Sequence, residues 1–343
     1  MKQNNAPKKR ILLATGGTGG HVFPAIALGK FLQESGYEVE FSTDARGTKY
    51  FVQYDFKLHI VKSASPNGIS SLLKLAAGFL QCLGLLHRFD AVIGFGGYAS
   101  FAPVLVGKLF GKKTILHEQN AVLGKVNRVL QKFSNHVCIA FAQTKLANDD
   151  AKYIGNFVRD DFKFSPLPPI SDKLNLLIIG GSQGAKIFTE IFPKALAGLN
   201  VNVVHQVPEA EITQAQAEYA LLGISAEIAP FFTDIKQRIE AAHLVISRAG
   251  ASSIFELITI GRPTIFIPLK SAADNHQYEN ARELAANDAA WLVEENTETA
   301  AKIAEILTDI CTNPTKLVKK AEMMHNQNQF NSKQLLLELI KGK

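Results

Sequence analysis

The chain has 343 residues, of which 47% are hydrophobic and 20% charged, and a net charge of +6 from Lys+Arg 37 against Asp+Glu 31. That length exceeds one ordinary core and predicts two domains, while the composition excludes a disordered chain. The basic balance favours anionic partners (phosphorylated substrates, nucleic acid or an acidic membrane surface), and nucleic acid ranks last because no basic motif with interleaved aromatics accompanies it.

Cys82, Cys138 and Cys311 are odd in number and far apart, which argues against a disulfide framework or a zinc cluster and for a reducing cytoplasm. From the N-terminus, the apolar run ILLAT (11–15) is too short for a signal peptide and reads as a strand. It runs into GGTGGHVFP (16–24), a glycine turn that opens an amphipathic helix. Glycines there let a ligand approach the backbone while the helix N-terminus offers N–H donors, which suits a phosphate; close packing of strand on helix explains one such turn equally well. The strand VEFST (39–43) follows.

The stretch ISSLLKLAAGFLQCLGLLHRF (69–89) reads as a helix that does not span a membrane, since Lys74, Gln81 and two glycines interrupt a window barely long enough. On a helical projection Lys74, Gln81 and Arg88 form one polar stripe and leucines cover most of the remainder. Two readings stay open: burial on nearly all sides, or a face turned to the inner leaflet with Lys74 and Arg88 meeting anionic lipid.

Next come the strand DAVIGF (90–95), the turn GFGGYAS (94–100), the strand KTILHE (113–118), the segment HEQNAVLGKVNR (117–128) and the strand HVCIAF (136–141). Three prolines in KFSPLPPISDK (163–173) then interrupt the pattern and place a boundary, giving domains 1–162 and 163–343, with the last helix able to return to the first. The cycle restarts at LNLLII (174–179) and GGSQGA (180–185), with VNVVHQV, AEIAPF, LVISR, PTIFIP and AAWLV as later strands and TDIKQRIEAAH among the helices. This alternation predicts two tandem Rossmann-like, doubly wound α/β domains with parallel sheets, and ligands at the carboxyl ends of the strands, in an interdomain cleft.

GGTGGH does not match G-x-G-x-x-G in any register, although Asp44 lies where a ribose contact would be sought, and no P-loop is present. A dehydrogenase is therefore weakly supported and a P-loop ATPase or kinase is excluded. Two glycine turns in one domain suit a pyrophosphate.

The second domain adds SRAGASSIFE (247–256), GRPTIFIPL (261–269) and AADNHQYENA (272–281). With GGTGGHVFP, GFGGY, HEQN, GNFVR and GGSQGA in this order, the chain resembles the MurG family, the UDP-N-acetylglucosamine:undecaprenyl-pyrophosphoryl-muramyl-pentapeptide N-acetylglucosaminyltransferases of bacterial cell-wall synthesis, from about residue 10 to beyond residue 280. It departs from the family pattern at Leu123 and Phe157, where prolines are common, and at His276, where a glutamine is common.

The resemblance implies a GT-B fold and an inverting transfer. The C4 hydroxyl of a lipid-linked muramyl-pentapeptide attacks the anomeric carbon of UDP-N-acetylglucosamine, turning lipid I into lipid II, with no metal and no cofactor. His21, which ends the GGTGGH turn at a helix N-terminus that disfavours a proton on its ring, is read as the general base; the alternative is a histidine that only bonds the turn or a phosphate. For the donor the resemblance implies Arg159, Ser182, Ala251, Ser252, Ser253, Glu256 and Gln277, backbone near Phe232 at the uracil, and Thr18, Gly19, Gly20 and Asn120. Gly17, Thr18, Gly19, Gly96, Gly97 and Tyr98 are assigned to the acceptor pyrophosphate. Without the resemblance, Asn120 fits an Asx turn before a helix starting near Val122, and Glu256 fits a capping box closed on Ser253. The implied partners are the sugar nucleotide, the polyprenyl-linked acceptor and anionic inner-leaflet lipid, on the cytoplasmic face of the cell membrane. The competing classes are a UDP-N-acetylglucosamine 2-epimerase and a non-catalytic sugar-nucleotide binding protein.

Overall fold

The computed structural model describes residues 8–170, 172–181, 184–327 and 331–342. The chain divides into two compact units, between Arg159 and Asp160, just before the position read from the prolines, and the C-terminal helix belongs to the first.

In the first unit, β1 (Arg10–Ala14), β2 (Glu38–Thr43), β3 (Lys57–Ile60), β4 (Ala91–Gly94), β5 (Lys113–Glu118), β6 (His136–Ile139) and β7 (Lys152–Tyr153) form one parallel sheet in the order β3-β2-β1-β4-β5-β6-β7. α1 (Gly19–Glu34), α2 (Ile69–Leu86), α3 (Tyr98–Leu109) and α4 (Lys125–Leu130) connect the strands. β1 and β4 are buried almost throughout because apolar side chains pack on both faces, which is why they read as continuous apolar runs. The edge strands β3 and β7 escape such a reading: KLHI alternates, and KY contains no apolar run.

α2 by length and composition is long and apolar enough to cross a membrane. Here it lies along the first unit on one narrow face: Gly78, Cys82 and Leu86 are buried, and a Cβ at Gly78 would meet the carbonyl oxygen of Lys62 at 2.0 Å. Leu72, Leu73 and Leu80 remain 58%, 66% and 67% exposed, so burial on all sides is overturned. Arg88 does not share the outward stripe. Its guanidinium sits 3.3 Å from the buried Glu40, which also receives Arg10 at 2.6 Å, Lys57 at 3.4 Å and His59. Burial pushes the Glu40 carboxyl up, but hydrogen bonds from His59 and Arg10 and the charge of Arg88 leave it below its usual value.

The second unit repeats the pattern with β8 (Leu174–Ile179), β9 (Val201–Gln206), β10 (Ser225–Ala229), β11 (Leu244–Ser247), β12 (Thr264–Phe266) and β13 (Trp291–Leu292), in the order β10-β9-β8-β11-β12-β13 and all parallel. α5 (Lys186–Ala195), α6 (Ile212–Leu221), α7 (Ile235–Ala241), α8 (Ala251–Ile260), α9 (His276–Ala286), α10 (Thr299–Thr312) and α11 (Thr315–Asn326) complete it. The proline-rich segment is strapped to this unit by the fully buried Arg262, which donates to the carbonyls of Ser165 and Pro166. α12 (Ser332–Lys341) returns to the first core through Leu336, Leu337, Leu339 and Ile340, and Lys113 donates to its last carbonyls at 2.8 Å.

Candidate active site

In both sheets the strand order reverses at the centre, beside β1 and β4 in one unit and beside β8 and β11 in the other. Chain connections leave such a point in opposite directions, which opens a crevice at the carboxyl ends of the two strands. All the glycine turns singled out by the sequence lie there: GGTGGH after β1, GFGGY after β4, GGSQGA after β8 and SRAGAS after β11.

In the first unit the two turns touch. Ala14 pairs in register with Gly94, and Phe95 N–H donates to the Ala14 carbonyl at 2.9 Å. A Cβ at Gly97 would stand 3.1 Å from the Gly16 carbonyl oxygen, and one at Gly96 would stand 3.3 Å from Asn127 Nδ2 and 3.5 Å from His21 Nε2. Both glycines have positive φ, so the contact and the backbone conformation require glycine together. Thr18 is the N-cap residue of α1, Gly19 and Gly20 open it, and Tyr98 begins α3 with Gly97 as its N-cap. His21 is half-buried at the start of α1, with Nδ1 3.2 Å from the Gly16 carbonyl. A carbonyl only accepts, so Nδ1 carries the proton and Nε2 keeps the lone pair in the neutral ring.

Asn120 lies in this unit, at the end of β5, but it does not start a helix: α4 begins at Lys125, and Val122 instead bridges to Lys145. The Asn120 amide and backbone N–H both donate to Glu118 Oε1 at 3.1 Å, while Glu118 Oε2 receives Gly124 N–H at 2.8 Å and Asn127 Nδ2 at 2.9 Å. Glu118 is 2% exposed, so one buried carboxylate shapes the HEQN loop and reaches α4. Sequence reasoning quoted Glu118 without assigning it; its place between a strand end and two asparagines was the available signal. Asp44 is likewise taken: Arg46 and Gly47 N–H bind it, and despite burial these hydrogen bonds bring its carboxyl below its usual value.

The two departures in this unit are core residues. Phe157 is buried against His117, ring centroids 4.5 Å apart, and Leu123 is buried with its N–H donated to Lys145, a bond a proline there would lack. His117 donates from Nε2 to the Gly155 carbonyl at 2.9 Å, and burial drives its pKa down to about 4.

In the second unit α8 starts at Ala251 with Gly250 as N-cap and no side-chain cap. Ala251, Ser252 and Ser253 therefore form its first turn and Glu256 lies inside the helix, so Ser253 is no N-cap and the capping box is overturned. Gln277, in the first turn of α9, accepts from Leu269 N–H at 2.9 Å, and His276 donates from Nδ1 to the Ala273 carbonyl at 2.7 Å. Phe232 is buried beyond β10 with the Arg238 guanidinium 4.1 Å over its ring, and Arg159 closes the first unit's share of the chain. Ser182 lies outside the described residues. Arg248, inside SRAGASSIFE but assigned nothing by sequence, is nine-tenths buried and bonded to Ile267, Pro268 and Glu295.

Two doubly wound units, each with glycine turns at its switch point, have the architecture of the GT-B fold. Residues 11–139 match the glycosyltransferase family 28 N-terminal domain and residues 175–339 its C-terminal domain. The UDP-N-acetylglucosamine--N-acetylmuramyl-(pentapeptide) pyrophosphoryl-undecaprenol N-acetylglucosamine transferase of Rhodospirillum centenum is 39% identical, covering 91% of this chain and 88% of its own length. That of Rickettsia rickettsii is 36% identical, covering 97% and 99%. The crystal structure of Acinetobacter baumannii MurG matches with a TM-score of 0.84 at 30% identity, over 98% of this chain and 100% of that one. An Anabaena protein crystallised with UDP and glucose shares the fold at a TM-score of 0.69 and 16% identity. The chain belongs to the MurG family of N-acetylglucosaminyltransferases.

Proposed function

We propose that His21 is the general base of the reaction this enzyme catalyses, transfer of N-acetylglucosamine from UDP-N-acetylglucosamine to the C4 hydroxyl of undecaprenyl-pyrophosphoryl N-acetylmuramyl-pentapeptide. The bond from Nδ1–H to the Gly16 carbonyl carries this reading, because it leaves Nε2 as the basic nitrogen beside the Gly96 turn. As the C4 oxygen bonds to the anomeric carbon, its proton passes to Nε2, the bond from sugar to phosphate breaks, and UDP leaves with the electron pair. Gly17, Thr18, Gly19, Gly96, Gly97 and Tyr98 hold the acceptor pyrophosphate at two converging helix N-termini. The first turn of α8 receives the donor diphosphate, with Ser182 and Arg159 as further donors. Glu256 accepts from the ribose hydroxyls, Gln277 with Thr18, Gly19, Gly20 and Asn120 meets the sugar nucleotide, and backbone at Phe232 meets uracil.

The test is transfer from labelled UDP-N-acetylglucosamine to a lipid-linked acceptor. His21→Ala is expected to lower kcat by roughly 100-fold to 10,000-fold with UDP affinity retained. Near-normal turnover refutes the base assignment.

A second observation favours a surface-bound enzyme: the exposed leucines of α2, with Lys74 beside them, form an apolar face that water does not stabilise. We infer that this face enters an anionic leaflet, without help from Arg88. Leu80→Glu is expected to reduce co-sedimentation with anionic vesicles while circular dichroism stays unchanged; equal binding by the folded variant places the membrane face elsewhere.

A further inference from the structure

At the carboxyl ends of β8, β11, β12 and β13 one guanidinium is bonded to three separate segments. Arg248 Nη1 donates to the Ile267 carbonyl at 3.1 Å and the Pro268 carbonyl at 3.2 Å, and pairs with Glu295. Its charge lies 4.8 Å over the ring of Phe188, in the first turn of α5 after GGSQGA. All of these bonds leave one nitrogen, Nη1, while the flat guanidinium also covers the ring, a combination of reach and stacking face that the shorter, tetrahedral lysine ammonium does not reproduce.

The consequence runs to α9. Leu269 directly follows the anchored carbonyls, and its N–H is accepted by Gln277 at 2.9 Å. Ala249, directly after Arg248, has its carbonyl bonded by the buried Asn280 at 3.1 Å. The turn before α8, the loop after β12 and the start of α9 are therefore held as one assembly around Arg248. Among the described residues, the carboxylate paired with this guanidinium is Glu295, beyond β13. Removing that carboxylate leaves a nine-tenths buried cation with two carbonyls and an aromatic face but no counter-charge, which costs far more than losing an exposed pair.

We propose that Arg248 and Glu295 form a positioning pair for the sugar nucleotide: neither touches the donor, and together they set the loop from Ile267 to Gln277 against the α8 N-terminus. The proposal rests on reading the turns of the second unit as the donor site. Glu295 is the informative member, since it lies outside every motif quoted from the sequence, about forty residues beyond the α8 turn.

The experiment measures UDP affinity by calorimetry, steady-state KM and kcat for both substrates, and Tm, for Glu295→Ala, Glu295→Gln, Arg248→Lys and Glu256→Gln. Glu295→Ala is expected to raise the UDP Kd and the donor KM about tenfold, with kcat at saturating donor and the acceptor KM within about twofold of the parent. Glu295→Gln, which keeps an acceptor oxygen, recovers part of that loss, and Arg248→Lys falls with Glu295→Ala. If Glu295→Ala does not fold, Glu295→Gln carries the comparison alone. Unchanged UDP affinity in the Glu295 variants, with or without a lower Tm, overturns the pair as a positioning device while Glu256→Gln still weakens UDP. If Glu256→Gln also binds UDP as the parent does, the donor reading itself has failed and the proposal falls with it.

Discussion

The two switch points use the same topology and opposite materials. In the first unit the turns are pressed together, backbone on backbone, with the Gly97 position against the Gly16 carbonyl and a histidine ring beside Gly96. In the second the N-cap Gly250 has nothing within 4 Å of an added Cβ and an ordinary φ of −68°, and the order comes from a buried guanidinium below the turn. One switch point has its turns packed against each other and a histidine ring beside them. The other is open at its turn and is held by charge. The contrast accords with the roles proposed above, a first unit that orients the acceptor hydroxyl and a second that admits the donor diphosphate.

The contrast breaks most visibly at its glycines. Gly97→Ala places a methyl 3.1 Å from the Gly16 carbonyl at φ +76°, with both strands fixed behind it, so we expect a stability loss of about 2 kcal/mol and a larger loss of activity. Thermal unfolding and turnover check both; an alanine tolerated at Gly97 would mean that the two turns separate freely.

Acid sharpens the comparison next, since each unit holds a fully buried histidine whose pKa burial pushes far down. His117 is held down to about 4 and His205, between Tyr219 and Phe192, to about 3, in both cases chiefly by burial. Because these folded values lie below the unfolded value of about 6.5, the unfolded chain binds more protons, and stability falls as pH drops through 6.5. The loss levels off near pH 4 for the first unit and continues to near pH 3 for the second, on the order of 3 kcal/mol or more each. Urea unfolding at pH 7, 5 and 4 checks the sign; stability that rises toward pH 4 contradicts it.

Gly250→Ala should have the smallest effect on folding, within about 0.5 kcal/mol, since the space is open and φ is permissive. If a diphosphate approaches that turn, the same methyl weakens UDP while Tm stays unchanged. Undiminished UDP affinity would place the diphosphate away from Gly250.

Much of the fold was legible because buried parallel strands are apolar on both faces and so stand out as runs, and because glycine turns mark their ends. Edge strands β3 and β7 were not, since none of their residues is buried and so no apolar run is needed. The positions of His21 and the glycines were readable from their place in a strand-turn-helix unit. The alternatives read from local spacing, a helix starting near Val122 and a cap at Ser253, fail because glycines set both helix starts: Gly124 caps α4 later than expected and Gly250 caps α8 earlier.

By itself the sequence determined the tandem α/β plan, the four glycine turns and the family, all of which rest on local patterns of a few residues. Tertiary structure alone decided which turns meet, that Glu118 organises the HEQN loop, that Arg88 serves Glu40 instead of the outer face of α2, and that Arg248 finds its carboxylate in Glu295. The last two are partnerships between charges far apart in the chain. A buried charge takes its partner from whichever segment the sheet order brings beside it, and no local pattern encodes that order.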